Sequence, residues 1–306
     1  MQTMGIRSIE EIRTLLAGPV NSIPTTFTPE GDLDEKGIRN IVEAGISGGS
    51  SVSLITFGDS HLELLSDQEV FWLSRIVAEQ ANRRALTVAA TGRWSTAQSV
   101  GLARACRELG IDMLMVTLAP HMMGIVEPWL AQHYLAVAQE IPVMIVGYPD
   151  HRLLDQLLNE PRICSFKEDG SVEYAVDTMR RYGDHWTFMT GGGLWRNFTQ
   201  WPFGCWAFMS PWCNIKPEVN RQYYTAMQRN DIESASRVIT MLDWPLFDLS
   251  DTYTGGWQTM WRAILELAGL ARRYRRPPFP SATDAEMERL RSEFGALEAL
   301  AESLFL

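Results

Sequence analysis

The sequence predicts an α/β fold, a (β/α)8 TIM barrel followed by a C-terminal helical extension. Three observations carry that expectation. Eight short apolar runs recur about every 25–30 residues, each followed by a helical or partly helical stretch. The runs are rich in Val, Ile, Leu, Met and Phe on both faces, as parallel strands covered by helices are. No G-x-G-x-x-G follows the first run. A doubly wound open sheet, the alternative, would more naturally carry one there.

Residues 1–18 carry a short helical pattern (Ile9, Ile12, Leu15, Leu16) ended by Gly18-Pro19. The first strand is expected at 21–27, with a turn at Pro29-Glu30-Gly31-Asp32. A helix starts at Asp34, with Ile38, Ile41, Val42 and Ala44 on one face, and is closed by 45–49. The second strand, 51–57, leads through a polar turn to a helix over 66–82. Strand three is 85–91, and Ser95 is placed to cap a helix running to 109. Strand four, 112–118, precedes a proline-bounded loop and a helix over 129–139. Strand five, 142–148, is followed by a short helix near 153–159. Strand six, 162–167, precedes a helix over 172–181, and strand seven, 186–190, runs into Gly191-Gly192-Gly193. The eighth run is 204–210. From Pro217 on, the pattern is purely helical, at 217–229, 231–247, 254–270 and 282–304. The division expected is an N-terminal helical segment at 1–18, the barrel at 19–230 and the extension at 231–306.

A length of 306 residues suits one large α/β domain or two small ones. A net charge of −10 argues against general affinity for nucleic acid or an anionic membrane. The arginine-rich break at 271–278 reads as a solvated linker or an ion-pairing face. Cys106, Cys164, Cys205 and Cys213 lie in apolar segments without C-x-x-C spacing, as buried thiols of a reducing compartment do. His61, His121, His133, His151 and His185 form no metal-binding spacing. The N-terminus lacks the apolar core of a signal peptide, and no apolar run approaches the roughly 20 residues of a membrane span. A cytoplasmic protein is expected, with no nucleic-acid or membrane partner.

The chain has only three lysines, Lys36, Lys167 and Lys216, among 27 basic residues. Lys167 ends the sixth apolar run, in Phe166-Lys167-Glu168-Asp169-Gly170. A lysine amine can lose its proton and attack a carbonyl to form a Schiff base, which a guanidinium does not do. The competing reading is a side chain that snorkels out or pairs with Glu168 or Asp169. On this stretch alone both readings stand.

Several segments in order resemble the dihydrodipicolinate synthase / N-acetylneuraminate lyase family of class I aldolases. Ile23-Pro24-Thr25-Thr26-Phe27 with Gly31-Asp32-Leu33-Asp34 is similar to that family's first strand and the G-x-[LV]-D turn behind it. Thr56-Phe57-Gly58-Asp59 resembles the keto-acid loop after strand two, and Leu65-Ser66-Asp67-Gln68-Glu69 the helix start that follows. Thr91-Gly92 with Ser95-Thr96 is similar to the strand-three turn. Phe166-Lys167-Glu168-Asp169-Gly170-Ser171 resembles the strand end that carries the Schiff-base lysine. The resemblance spans roughly 18–300. It implies a lyase or aldolase working without metal or organic cofactor on a 2-keto acid of the pyruvate type, and on an aldehyde where there is a second substrate. It further implies a homo-oligomer, dimer or tetramer. Lys167 would form the imine; Thr56 and the backbone of Phe57, Gly58 and Asp59 would hold the carboxylate.

The departures are informative. The family's strand-five tyrosine, in Y-N-x-P, falls on Val146, and Tyr148 lies two residues on. Tyr148 is therefore the candidate acid/base, or else a cap on the barrel rim. Phe57 replaces the second hydroxyl of a T-T pair, as in the hydratase-aldolase branch, and Asp59 stands for a glutamate. The synthases' arginine for a dicarboxylic partner would fall near His151 or Arg152, which argues against lysine synthesis. Gly191 after strand seven clears room for substrate or simply turns the chain. Trp195, Trp201, Trp206 and Trp212 read as core and subunit-interface packing more than as an aromatic pocket. His61 reads as an exposed loop residue more than as an acid/base group of the altered loop, and Lys216 as a surface one. A sugar-acid dehydratase or hydratase-aldolase using the same imine, and a non-catalytic keto-acid-binding barrel, are the rival functions.

Overall fold

The computed structural model describes residues 7–92, 95–117 and 127–305. Eight parallel strands close into a barrel in sequence order: β1 (Gly18–Ser22), β2 (Val52–Leu54), β3 (Leu86–Ala90), β4 (Met113–Val116), β5 (Val143–Gly147), β6 (Ile163–Glu168), β7 (Thr187–Thr190) and β8 (Ala207–Met209). β8 pairs with β1, so the sheet has no free edge. A helix follows every strand, and buried Val, Ile, Leu and Met fill the space between the barrel and its helical ring. The (β/α)8 expectation holds.

Helix starts follow capping chemistry. Ser66, Ser95 and Ser171 accept hydrogen bonds from backbone N–H groups three residues on, and open the helices Asp67–Ala81, Thr96–Leu109 and Val172–Tyr182. Asp34 does the same for Glu35–Ser47.

The first strand differs from its expected span of 21–27. Gly18, with φ +75°, already donates its N–H to the carbonyl of Trp206, and the helix before it ends at Leu15. The ladder fades after Ile23, because Pro24 has no N–H to donate. The expected helix 231–247 is instead Ile232–Val238, a π-turn at Ile239–Asp243, and Trp244–Ser250. Residues 1–6 of the N-terminal segment, Leu118 at the end of the fourth run, the proline-bounded loop and His121 lie outside the described residues. No helix among the described residues is long and apolar enough to cross a membrane.

The extension is continuous with the barrel. Its helix Gly256–Leu267 buries Thr259 through Leu265, including the whole of Arg262. The arginine break after it is tied down: Arg273 pairs with Glu266 and Asp284, and Arg276 with Glu69. Arg275 is buried. Of the two readings, the ion-pairing one describes this segment.

Candidate active site

A cavity of about 560 Å³ opens at the carboxyl ends of the strands. It is lined by Thr56, Phe57, Gly58 and Asp59 after β2, by Val146, Gly147 and Tyr148 at β5, and by Lys167 and Asp169 at β6. Met115, Thr117 and Met209 complete it. All but one of the sequence-derived site residues therefore converge on one space; Gly191 stands just behind it.

Lys167 is placed by strand alternation. Residues of β6 point alternately into the barrel mouth and out toward the helices. Lys167 is 6% exposed, and its Nζ donates to the carboxylate of Asp169, two residues on and on the same face. Glu168 points the other way and is fully buried. Its carboxylate accepts from Arg196 Nη2 at 2.5 Å and Gln200 Nε2 at 2.7 Å, which fastens β6 to the helix Leu194–Gln200. Burial pushes the Glu168 carboxyl upward, against the pull of Arg196 and Gln200. The ammonium thus both faces the cavity and pairs with one of the two acids that the sequence offered.

The loop after β2 is held from several directions. Thr56 Oγ1 accepts the N–H of Asp59 at 3.0 Å, and Ser60 Oγ accepts the N–H of Thr56 at 3.0 Å. One carboxylate oxygen of Asp59 accepts from Ser22 Oγ at 2.6 Å and the other from Gln258 Nε2 at 2.7 Å. Behind the loop, Arg262 donates to the carbonyls of Thr25 at 2.9 Å and Asp59 at 2.6 Å, and to Gln258 Oε1 at 2.7 Å. Burial, with Arg275 nearby, lowers the Arg262 guanidinium to about 9, so it stays charged at neutral pH. A buried positive charge behind a loop that faces the cavity favours an anion in front of it. Gly58 has open space where a Cβ would stand, so steric exclusion does not explain this glycine.

At β5, Val146 is 8% exposed and pairs in register with Lys167. Gly147 has φ +99° and turns the chain, leaving Tyr148 at the cavity mouth with 70% exposure. Gly191 is packed close: a Cβ there would meet Asp169 Oδ1 at 2.1 Å and Lys167 Nζ at 3.1 Å. The room it clears is thus occupied by the Asp169 carboxylate.

Two sequence expectations are corrected, those for His61 and Lys216. His61 is buried rather than exposed: it has φ +50°, accepts from Arg275 at 3.1 Å and lies against Phe279. Arg275 and Phe279 lie in and just after the arginine break, more than two hundred residues away and beyond the reach of local pattern. Lys216 is largely covered and pairs with Glu302 at 2.7 Å. The four tryptophans divide: Trp212 is wholly buried and Trp201 partly so, while Trp195 and Trp206 are exposed. None of the four lines the cavity. His151 binds Thr178, and Arg152 pairs with Asp150 and Glu127 outside the cavity. All four cysteines are buried and free.

Sequence reading missed the supporting residues Ser22, Gln258 and Arg262, and the lining residues Met115, Thr117 and Met209. One signal was available: Arg262 interrupts the apolar run Met260-Trp261-Arg262-Ala263-Ile264-Leu265. A charge inside such a run calls for buried partners.

Comparison with known proteins agrees with this geometry. The profile of the dihydrodipicolinate synthetase family matches residues 16–296. A 4-hydroxy-tetrahydrodipicolinate synthase from Geobacter sulfurreducens is 29% identical over 237 residues, covering 73% of this chain and 80% of that protein. Dihydrodipicolinate synthase from Oceanobacillus iheyensis superposes with a TM-score of 0.83 at 18% identity, covering 95% of this chain and all of that one (100%). N-acetylneuraminate lyase from Mycoplasma synoviae gives a TM-score of 0.80 at 19% identity, over 91% of this chain and 98% of that one. The two structural matches speak to fold, and the profile match to descent: the chain belongs to the dihydrodipicolinate synthetase family, and with it to the class I lyases and aldolases.

Proposed function

We propose that the protein makes or breaks a carbon–carbon bond beside the carbonyl of a pyruvate-type 2-keto acid, through an imine on Lys167. The observation that carries this is Lys167 itself, 6% exposed at the floor of a cavity whose opposite wall is the Thr56–Asp59 loop. In this reading Thr56 and the backbone of Phe57 and Gly58 hold the substrate carboxylate, with the Arg262 charge behind them. Once the amine has displaced the carbonyl oxygen as water, the positive nitrogen accepts the electron pair of the bond being cleaved. Tyr148, at the mouth, is placed to meet the second substrate, an aldehyde in the aldol direction. Gly191 acts through Asp169 and does not touch substrate.

A role outside lysine synthesis is favoured, because among the described residues no arginine lines the cavity and Arg152 is engaged with Asp150 and Glu127. A catabolic lyase, hydratase-aldolase or sugar-acid dehydratase fits this better. A homo-oligomer, dimer or tetramer, belongs to the proposal, with exposed Phe203 and Trp206 offering apolar surface.

The test is reduction by borohydride in the presence of pyruvate, followed by peptide mapping. A mass increase confined to Lys167, and lost in Lys167→Ala, is the expected result. No adduct with pyruvate or a panel of longer 2-keto acids sinks the imine and leaves a ligand-binding barrel. Product analysis then separates a lyase, which splits the chain, from a dehydratase, which releases water and keeps it intact.

A further inference from the structure

Where the resemblance would place a tyrosine hydroxyl, β5 presents Val146, an apolar side chain in register with Lys167. The lysine nitrogen nevertheless has a titratable neighbour. Asp169, on the same strand face, accepts a hydrogen bond from Nζ. Its side chain is 39% exposed and lines the cavity, so it is open to substrate and water on its other side. Glu168 cannot take this part, since Arg196 and Gln200 hold it on the outer face of the strand. Gly191 makes the arrangement possible: any Cβ at that position would stand 2.1 Å from Asp169 Oδ1.

We propose that Asp169 is the proton carrier for imine formation at Lys167, a catalytic role that rests on the Schiff-base reading above. The chemistry closes with one carboxylate. Asp169 takes a proton from the Lys167 ammonium, and the freed lone pair on Nζ attacks the keto carbon, pushing the carbonyl π electrons onto oxygen. The protonated Asp169 returns that proton to the new alkoxide, giving a hydroxyl. It then takes a second proton from the nitrogen, which still bears two, and delivers it to the hydroxyl. The C–O bond breaks, water leaves with its electron pair, and the nitrogen lone pair forms the C=N⁺ bond. Two protons have passed from nitrogen to oxygen, and Asp169 ends as it began, ionised. The ion pair it then forms with the iminium replaces the one it had with the ammonium.

The experiment follows imine formation in time, by mixing enzyme with pyruvate and quenching with borohydride after set intervals. In Asp169→Asn, the rate of approach to the adduct is expected to fall about 100-fold or more, the usual range for a lost general acid–base. The adduct still forms on Lys167. In Asp169→Ala, added formate should restore rate in proportion to its concentration. Gly191→Ala, which keeps Asp169 but displaces its carboxylate, should slow the same step. An Asp169→Asn rate within threefold of wild type overturns the assignment. So does a slow Asp169→Ala that formate does not rescue, which would mark a merely structural contact. Absence of any adduct in the wild type instead sinks the imine reading, and this assignment with it.

Discussion

On one half of the barrel mouth the C-terminal helices reach in and hold the loops; on the other, among the described residues, the strand ends are tied only to the barrel's own helices, through Glu168 to Arg196 and Gln200 and through Pro149 to Tyr174. Arg262 and Gln258 grip the loop after β2, and Asp243 accepts the N–H of Leu194 at 2.8 Å, fixing the turn after β7. Across the cavity, at β5 and β6, Tyr148 and Asp169 are well exposed. In the proposed reading the held half faces the part of a 2-keto acid that does not vary, its carboxylate, where fixed dipoles act without reorganisation. In the same reading the open half would face the second substrate, where adaptability is worth more than rigidity. A family can thus keep its first half-reaction while exchanging its second.

That contrast can be broken from the held side first. Arg262→Leu strips donors from the buried carbonyl of Thr25 and the part-buried carbonyls of Gln258 and Asp59. Leaving a buried acceptor unpaired costs about 1–3 kcal/mol, so a loss of about 3 kcal/mol or more is expected as a lower urea midpoint at unchanged slope. KM for the keto acid should rise as the loop loosens.

Asp243 gives the next largest effect, and it depends on pH. Burial raises its carboxyl from the ordinary 3.8 to about 7, so the folded protein holds a proton that the unfolded chain releases. Stability from this group is full below the ordinary carboxylate range and is lost as pH rises through about 7. Asp243→Asn, permanently neutral, should therefore show a flatter Tm from pH 4 to 8, with a gain at the alkaline end on the order of 2–3 kcal/mol. A profile that parallels wild type would show that the carboxyl is ionised throughout.

Thr56→Val, a single hydroxyl lost from the held loop, should raise KM for the keto acid about tenfold, the worth of one hydrogen bond to a charged group, with little change in kcat. Tyr148→Phe, on the open side, is expected to leave the trapping of pyruvate within about threefold of wild type, and to act only where a second substrate is turned over. Equal effects of these two changes on pyruvate trapping would erase the contrast.

How much of this was legible in the sequence follows from the range of the interactions. The barrel was legible because its signal is local and repeated eight times. Lys167 stood out because lysine is scarce here and this one ends a buried strand. Asp169 could also have been found by alternation: two residues from Lys167 it shares the face, whereas Glu168 must turn away. The identity of the first strand's residues was misjudged because Gly18-Pro19 looks like a helix stop, and pairing with β8 decides otherwise. His61 and Arg262 were beyond reach for another reason. The partners that bury them, Arg275 and Phe279 for His61 and Thr25 and Asp59 for Arg262, lie more than two hundred residues away, and only the closed fold brings them together.

The four cysteines carry a practical consequence. Burial pushes the thiols of Cys106, Cys164 and Cys213 up to about 12, and that of Cys205 well above its usual value. Since the thiolate is the reactive form, the native chain should ignore a disulfide reagent at neutral pH. Each opening of the fold would then be recorded as a mixed disulfide on the exposed cysteine. Cys106, Cys164, Cys205 and Cys213 lie in different parts of the barrel, so the order in which they are modified becomes a clock, residue by residue, of how the molecule comes apart.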